Sequence, residues 1–177
     1  MKKGLLILFS LLFVCSAFAF EAGSMLIGGQ AGLGFSKSDS DDDGTTEVVL
    51  FPQIGYFVTP NVCVDGIVKL DIMGSESMDV TAFGIGAGAR YFFNRIYVGA
   101  DVQYQSANIS IGGSDGTETA MFGTIKGGYL FPILPGAYID TQARYMMGLG
   151  DYGGDASGSN EQSSFNIMLG LQVELTR

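Results

Sequence analysis

The segment that most constrains the fold of this chain is residues 165–175, near the carboxyl terminus, where every second position is apolar. Successive side chains of a β-strand point to opposite faces, so this alternation predicts a strand with one apolar face and one small or polar face. Strands of globular proteins typically have about 5–6 residues, whereas a tilted strand that crosses a bilayer needs about 9–11. The length of this stretch therefore favours a membrane strand.

The amino terminus has the three parts of a secretory signal peptide. Lys2 and Lys3 are followed by an apolar run over 5–14 and then by the sequence Ala17-Phe18-Ala19. The run is too short to span a membrane as a retained helix, which is the alternative. We predict that residues 1–19 are a signal peptide cleaved after Ala19 and that 20–177 form one domain.

The same alternation recurs seven more times along the chain, separated by turn-forming and polar segments. An even number of strands allows an up-and-down antiparallel sheet to close on itself. Pro52 lies within the second strand and lacks a backbone N–H, which predicts a bulge or a missing ladder bond there. The predicted strands are about 25–36, 46–58, 62–73, 79–93, 96–108, 117–131, 137–147 and 165–175.

Alternation alone does not say which face is inward. A soluble, lipocalin-like barrel would bury the apolar face, and an outer-membrane barrel would turn it towards lipid. Eight strands enclose a space only just wide enough for side chains to fill, and the apolar face carries too many large residues for that space. Aromatic residues of the apolar face also cluster at both strand ends, as in the girdles of membrane barrels. The sequence thus predicts an all-β, eight-stranded antiparallel up-and-down transmembrane β-barrel.

The opposite face combines many glycines with charges of both signs, and we expect these charges to pair within the lumen. Buried charges need partners because desolvating each one alone costs several kcal/mol. The alternative is an ordinary solvated face. The predicted structural lumen network comprises Asp65, Lys69, Asp71, Arg90, Asp101, Lys126, Asp140, Arg144 and Glu174.

In this pattern the chain resembles the small eight-stranded outer-membrane barrels of the OmpA/OmpX type, over the whole of 20–177. The resemblance implies a monomer in the bacterial outer membrane, in contact with lipid and lipopolysaccharide and inserted by the barrel assembly machinery. Such barrels usually end in an assembly signal, whose spacing is matched here by Gly170, Val173 and Leu175, with Val and Leu in place of aromatic residues. We expect no periplasmic domain after the eighth strand.

Composition excludes several classes of chemistry. The chain has no His, which removes Ser-His-Asp and Cys-His catalysis, so we expect neither an enzyme nor a bound cofactor. A net charge of −9 argues against nucleic acid as a partner. Asp39, Asp41 and Asp43 before Gly44 match the first half of a calcium loop, although the closing Glu is missing. They predict either weak surface Ca²⁺ binding or a solvated acidic loop.

These features favour an outer-membrane barrel with a structural or surface-interaction role, external acidic loops and a filled lumen. Two alternatives remain open at this point. One is a barrel that binds or passes a small or hydrophobic solute, and the other is the soluble exported barrel described above.

Overall fold

The computed structural model describes residues 20–37, 44–74, 78–111, 114–149 and 163–176, so the predicted signal peptide lies outside the described residues. These residues form eight β-strands, and none of them belongs to a helix long and apolar enough to span a membrane. The strands are β1 Met25–Lys37, β2 Gly44–Thr59, β3 Val62–Gly74, β4 Met78–Phe93, β5 Ile96–Ile111, β6 Ser114–Leu134, β7 Ala137–Gly148 and β8 Ser163–Leu175.

Each strand pairs antiparallel with its neighbours in the sequence, and β1 also pairs with β8, which closes the barrel. Where the ladders are complete, closure leaves no strand edge with unpaired backbone N–H and C=O groups. A barrel of this kind can therefore span lipid, which offers no hydrogen bonds. The prediction of an eight-stranded, antiparallel, up-and-down barrel is confirmed.

Burial alternates along the strands and shows which face is inward. In β3, Asp65, Ile67 and Lys69 are buried, whereas Val64 and Ile72 are exposed. The pattern holds in β8, where Ile167 is 78% exposed. The apolar face therefore lies outside and the small or polar face lines the lumen. This contradicts the soluble alternative, which requires the apolar face inside.

Two close strand contacts depend on glycine at the β1–β8 interface. A Cβ on Gly28 would collide with the carbonyl oxygen of Leu171, and a Cβ on Gly170 would collide with that of Gly29. The absence of side chains at these positions lets the two backbones approach closely, which suits a tightly coiled, narrow barrel.

Irregularities occur at the prolines and turns. Pro52 pairs with Gly29 of β1, but the ladder to β3 has no pairs between Leu50–Leu70 and Gln53–Ile67, so the predicted gap lies on that side. Asn94 adopts a φ of 62° in the two-residue β4–β5 turn. Register shifts also interrupt the β2–β3 ladder between Phe57 and Thr59 and the β6–β7 ladder between Pro132 and Leu134.

The hairpin of β5 and β6 is longer than predicted. The sequence predicted strands that end at about 108 and resume at about 117, yet β5 runs to Ile111 and β6 starts at Ser114. Polar and Gly-rich strand ends extend the ladder beyond the apolar band, so alternation of apolar residues could not mark them.

The ladder between the first and last strands is incomplete. It runs from Met25–Leu175 to Ala31–Leu169, and within the described residues no ladder pair joins β1 to β8 beyond that point. Both strands nevertheless continue, β1 to Lys37 and β8 from Ser163. We call this unpaired part, Gly32–Lys37 with Ser163–Met168, the split.

Candidate functional site in the barrel lumen

The lumen is filled by polar side chains that project inward from the strands of the barrel. The buried polar strand residues are mainly charged residues and glutamines, and they alternate with outward-facing apolar residues along the same strands. These buried polar residues are Gln30, Gln53, Asp65, Lys69, Arg90, Asp101, Gln103, Gln105, Thr124, Lys126, Asp140, Gln142, Arg144 and Gln172.

The centre of the lumen contains a chain of ion pairs. Arg90 donates from Nε to Asp65 Oδ2 at 2.8 Å and from Nη2 to Asp65 Oδ1 at 2.7 Å, and neither side chain is exposed. Lys126 Nζ lies 3.6 Å from Asp65 Oδ2 and 3.0 Å from Asp101 Oδ2. Arg144 Nη2 extends the chain weakly, at 3.8 Å from Asp101 Oδ1. Five of the nine predicted network residues are thus brought together here.

Glycines on neighbouring strands make room for these charged side chains. Asp65 has Gly55 and Gly88 as its register partners, and Gly88 is also the partner of Asp101. A Cβ on Gly88 would lie 2.6 Å from the Cβ of Asp101. The glycine-rich face therefore leaves the volume that the ion pairs occupy.

A separate pair lies at the edge of the lumen. Lys69 Nζ lies 3.1 Å from Asp71 Oδ2 and donates to Gln105 Oε1 at 3.1 Å. The Asp71 side chain is 16% exposed, in contrast to the dry central pair. Solvent screening therefore makes this pair weaker than the central one.

The other two predicted network residues have neutral partners. Asp140 is fully buried and accepts from Tyr97 Oη at 2.7 Å, Gln30 Nε2 at 2.7 Å and Gln172 Nε2 at 3.2 Å. Glu174 accepts from Tyr138 Oη at 2.8 Å. Among the described residues neither carboxylate forms an ion pair, because neutral O–H and N–H donors satisfy their oxygens instead.

An apolar cluster, which we call the plug, closes the lumen at its short-turn end. Phe20 stacks on Phe57 with ring centroids 4.3 Å apart and meets Phe92 edge-on at 5.1 Å. The Arg90 guanidinium carbon lies 5.4 Å from the centroid of the Phe92 ring, so the plug directly underlies the central ion pair. The buried residues of the plug are Phe20, Leu26, Phe57, Cys63, Phe92, Tyr97 and Leu130.

The plug was not predicted, although the sequence contains a signal for it. Phe57 lies an even number of residues from Gln53 in β2, and Phe92 lies two residues from Arg90 in β4, so each shares the inward face with that polar residue. Alternation alone therefore predicts that large apolar residues face the lumen at the short-turn ends of these strands.

A smaller apolar cluster of Phe51, Ile67 and Met168 lies on the other side of the ion pairs. The guanidinium of Arg144 covers the Phe51 ring, with its carbon 3.9 Å from the ring centroid. Arg144 belongs to β7 and Phe51 to β2, and β8 and β1 lie between these strands in the sheet. The Arg144 side chain therefore passes across the lumen side of the β1–β8 interface.

The candidate metal residues Asp39, Asp41 and Asp43 lie outside the described residues. Within the ranges that the structure describes, no group of three or more Cys, Asp or Glu side chains is arranged to hold a metal ion. Calcium binding by the acidic loop stays a prediction.

The sequence matches no protein-family model and no curated protein, but the structure is similar to several solved barrels. Neisserial surface protein A (NspA) matches over 85% of this chain and 98% of its own, with 20% identity and a TM-score of 0.63. The N-terminal β-barrel domain of Pseudomonas aeruginosa OprF matches over 86% and 98%, with 15% identity and a TM-score of 0.58. Ail, the attachment invasion locus protein of Yersinia pestis, matches over 88% and 100%, with 17% identity and a TM-score of 0.56.

This chain has the fold of the small eight-stranded outer-membrane barrels. The similarity agrees with the predicted resemblance to the OmpA/OmpX type, and at these identities it concerns the fold. The outward apolar face supplies an independent physical reason for a bilayer environment, because exposed apolar residues at this density need lipid around them. Together the fold and the apolar face support a lipid bilayer as its surroundings and the bacterial outer membrane as its location.

Proposed function

We propose that this protein is an outer-membrane barrel with a structural or surface-interaction role and not an open pore. The observation that carries the proposal is the filled lumen. The Arg90–Asp65 pair has no exposed side-chain surface, and the plug lies directly beneath it. Open aqueous channels belong to barrels of about 16–18 strands, which are far wider.

The ion pairs support the same proposal because they link four consecutive strands, and Lys126 of β6 reaches Asp65 of β3 across the lumen. Asp65, Arg90, Lys126 and Asp101 come from β3, β4, β6 and β5 in turn. Removing Arg90 or Lys126 takes a cation away from the buried Asp65 carboxylate, which is unfavourable. We assign these residues a structural role, and Lys69 with Asp71 a weaker one at the solvent edge.

The surface part of the proposal rests on the distribution of charge in the connections. The short turns, 60–61, 94–95 and 135–136, carry a single charged residue, Arg95. The long connections are strongly acidic, and flexible polar segments are where surface proteins meet partners. NspA is named a surface protein and Ail an attachment invasion locus protein, which is consistent with such a role. The acidic residues of the long connections include Asp39, Asp41, Asp42, Asp43, Asp151, Asp155 and Glu161.

Conductance in a planar lipid bilayer tests the closed lumen. We expect the purified barrel to give no stable conductance steps. Deleting the ion pairs at the centre, with Arg90→Ala and Lys126→Ala together, is the matched comparison if that variant still inserts. Regular, long-lived steps from the wild-type barrel would contradict the closed lumen and favour the passage of small solutes.

Complementation separates the structural role from the surface role. A deletion strain of the source bacterium would be scored for sensitivity to detergents, then supplied with the wild-type gene or with a variant in which Asp39, Asp41, Asp42 and Asp43 are changed to Asn. A structural role predicts rescue by both genes. A surface role of the acidic loop predicts that the loop variant inserts normally but fails to restore the phenotype, and no phenotype in the deletion strain would contradict both.

A further inference from the structure

Phe20 differs from the other buried residues of the plug because it does not belong to a strand. Each of β1 to β6 supplies one of the other six, whereas Phe20 precedes β1, which begins at Met25. Backbone hydrogen bonds to neighbouring strands hold those six residues in the sheet. Phe20 lies outside the ladders, so its departure from the lumen would break no strand pairing.

A turn directs the chain from β1 back onto the mouth of the barrel. Ser24 N donates to Glu21 O at 3.1 Å, which closes a four-residue turn, and Ser24 Oγ donates to the same carbonyl at 2.7 Å. Gly23, at the third position, has a φ of 90°. Turns with a positive φ at that position favour glycine, so the sequence Glu21-Ala22-Gly23-Ser24 suits this reversal.

Two backbone hydrogen bonds attach this turn to the barrel, and both involve one residue near the end of β2. Gly23 N donates to Phe57 O at 2.8 Å, and Phe57 N donates to Ser24 O at 3.0 Å. Within the described part of the chain, no backbone hydrogen bond joins residues 20–22 to a strand. Beyond the turn, the segment is therefore held by its side chains.

The Phe20 ring supplies that attachment, across the mouth of the barrel. It stacks on Phe57 of β2 at 4.3 Å and meets Phe92 of β4 at 5.1 Å and Tyr138 of β7 at 6.0 Å, measured between ring centroids. These three strands are not adjacent in the closed sheet, so a ring that contacts all of them lies across the opening. Phe20 is 6% exposed, although the next residue, Glu21, is exposed.

We propose that residues 20–24 form a lid that opens and closes over the short-turn end of the lumen while the barrel stays folded. The Phe20 ring is the stopper, and the turn that ends at Ser24 is the hinge. Cleavage after Ala19, as predicted from the sequence, connects the lid to the barrel through Ser24 alone. The proposal rests on the closed lumen proposed above and adds that a movable segment closes one of its ends.

The reactivity of Cys63 tests the lid, because this thiol is buried in the plug with no exposed surface. Cys15→Ser leaves Cys63 as the single cysteine of the chain, and a charged methanethiosulfonate labels it in the full barrel in detergent. Phe20→Ala should raise the labelling rate at least tenfold, which corresponds to about 1.4 kcal/mol. Phe131→Ala removes a half-exposed aromatic ring from the outward face at the same end and should leave the rate unchanged. An unchanged rate in a folded Phe20→Ala variant would overturn the proposal.

A second variant opens the lid without altering the plug, and it decides the matter if Phe20→Ala does not fold. Gly23→Ala disfavours the turn because alanine rarely adopts a φ of 90°, and it should raise the labelling rate of Cys63 about fivefold or more. Gly116→Ala, whose Cβ would meet nothing within 4 Å, is the matched control and should label like the wild type. Equal labelling of the Gly23→Ala and Gly116→Ala variants would contradict the hinge.

The urea dependence of labelling in the otherwise wild-type barrel distinguishes lid opening from unfolding. Opening of a five-residue lid exposes little surface, so the rate should hardly change with urea well below the unfolding midpoint. A rate that rises from the lowest urea concentrations as steeply as global unfolding would overturn the lid. Conductance separates this result from the closed lumen itself: steps from the wild-type barrel contradict the closed lumen, whereas a silent barrel whose Cys63 labels only on unfolding contradicts the lid alone.

Discussion

The Arg90–Asp65 pair is the contact whose loss should cost the barrel most. Arg90 makes two hydrogen bonds to Asp65, at 2.8 and 2.7 Å, and neither side chain has any exposed surface. Arg90→Met keeps much of the side-chain volume and removes the charge, which leaves the Asp65 carboxylate buried. Breaking a buried pair in this way typically costs about 3–5 kcal/mol.

The local structure sets where in that range the cost falls. Lys126 Nζ lies 3.6 Å from Asp65 Oδ2 and partly compensates the carboxylate, which favours the lower half of the range. Arg90 also lies over the rings of Phe92 and Tyr97, and this packing is weakened in the variant. We therefore expect a loss of about 4 kcal/mol, and with an m-value of about 2 kcal/mol/M the urea midpoint should fall by about 2 M.

Urea unfolding of the refolded barrel, followed by the heat-dependent shift of its electrophoretic mobility, measures this loss. The double variant Arg90→Met/Asp65→Asn should cost less than Arg90→Met alone, because it leaves no unpaired carboxylate. Arg95→Met, in an exposed turn, should stay within about 0.5 kcal/mol of the wild type. An unchanged midpoint for Arg90→Met, or costs for Arg90→Met and Asp65→Asn that simply add in the double variant, would refute the buried pair.

Three further outcomes follow from the fold. Ala100→Arg places a charge on the outward face of β5 and should cost about 2–4 kcal/mol near the bilayer midplane, so normal insertion would contradict a lipid-facing position. Gly170→Ala should destabilise the barrel in the same urea assay because its Cβ meets the Gly29 carbonyl, whereas Gly66→Ala, with 3.5 Å of space, should be tolerated. An impermeant maleimide on intact cells should label Asp42→Cys and should label Asn94→Cys only after lysis; the reverse result would invert the topology.

The fold could be predicted from the sequence because its main determinant is local. Strict alternation fixes which side chains share a face, and the limited interior of eight strands fixes which face is inward. Strand ends were predicted to within three residues, as a comparison of the predicted 117–131 with the observed Ser114–Leu134 illustrates. The amino end of β6 is polar and carries no apolar alternation, and its carboxyl end contains Pro132, where alternation breaks down, so both ends of this strand differ from the prediction.

The sequence could predict which residues line the lumen but not which of them contact one another. Asp140 and Arg144 are four residues apart in β7, so alternation predicts that both face the lumen. In the structure Asp140 accepts hydrogen bonds from Tyr97 and two glutamine amides, whereas Arg144 extends towards Phe51. Which inward side chains meet depends on the stagger of neighbouring strands and on side-chain length. A single sequence specifies neither of these.

The split is a feature that alternation could not reveal, because it depends on how the first strand meets the last. Local patterns determine the length of β1 and of β8 separately, and by length alone the two strands could pair throughout. Pairing ends instead at Ala31–Leu169, just above the place where Gly28 and Gly170 bring the backbones into close contact. Met168, the next residue of β8, turns its sulfur into the space behind Gly32, and together with Phe51 it fills the wall from within.

The glycines of the inner face explain how a barrel this narrow holds so many charges. Gly88 is the register partner of both Asp65 and Asp101, and Gly99 is the partner of both Arg90 and Lys126. A Cβ on Gly99 would lie 2.9 Å from Cγ of Arg90, so even alanine would displace the guanidinium from Asp65. The central ion pairs and the glycines beside them therefore form one packing unit, in which each charged side chain occupies the volume that its neighbours leave empty. A substitution at either kind of position disturbs the same buried charges.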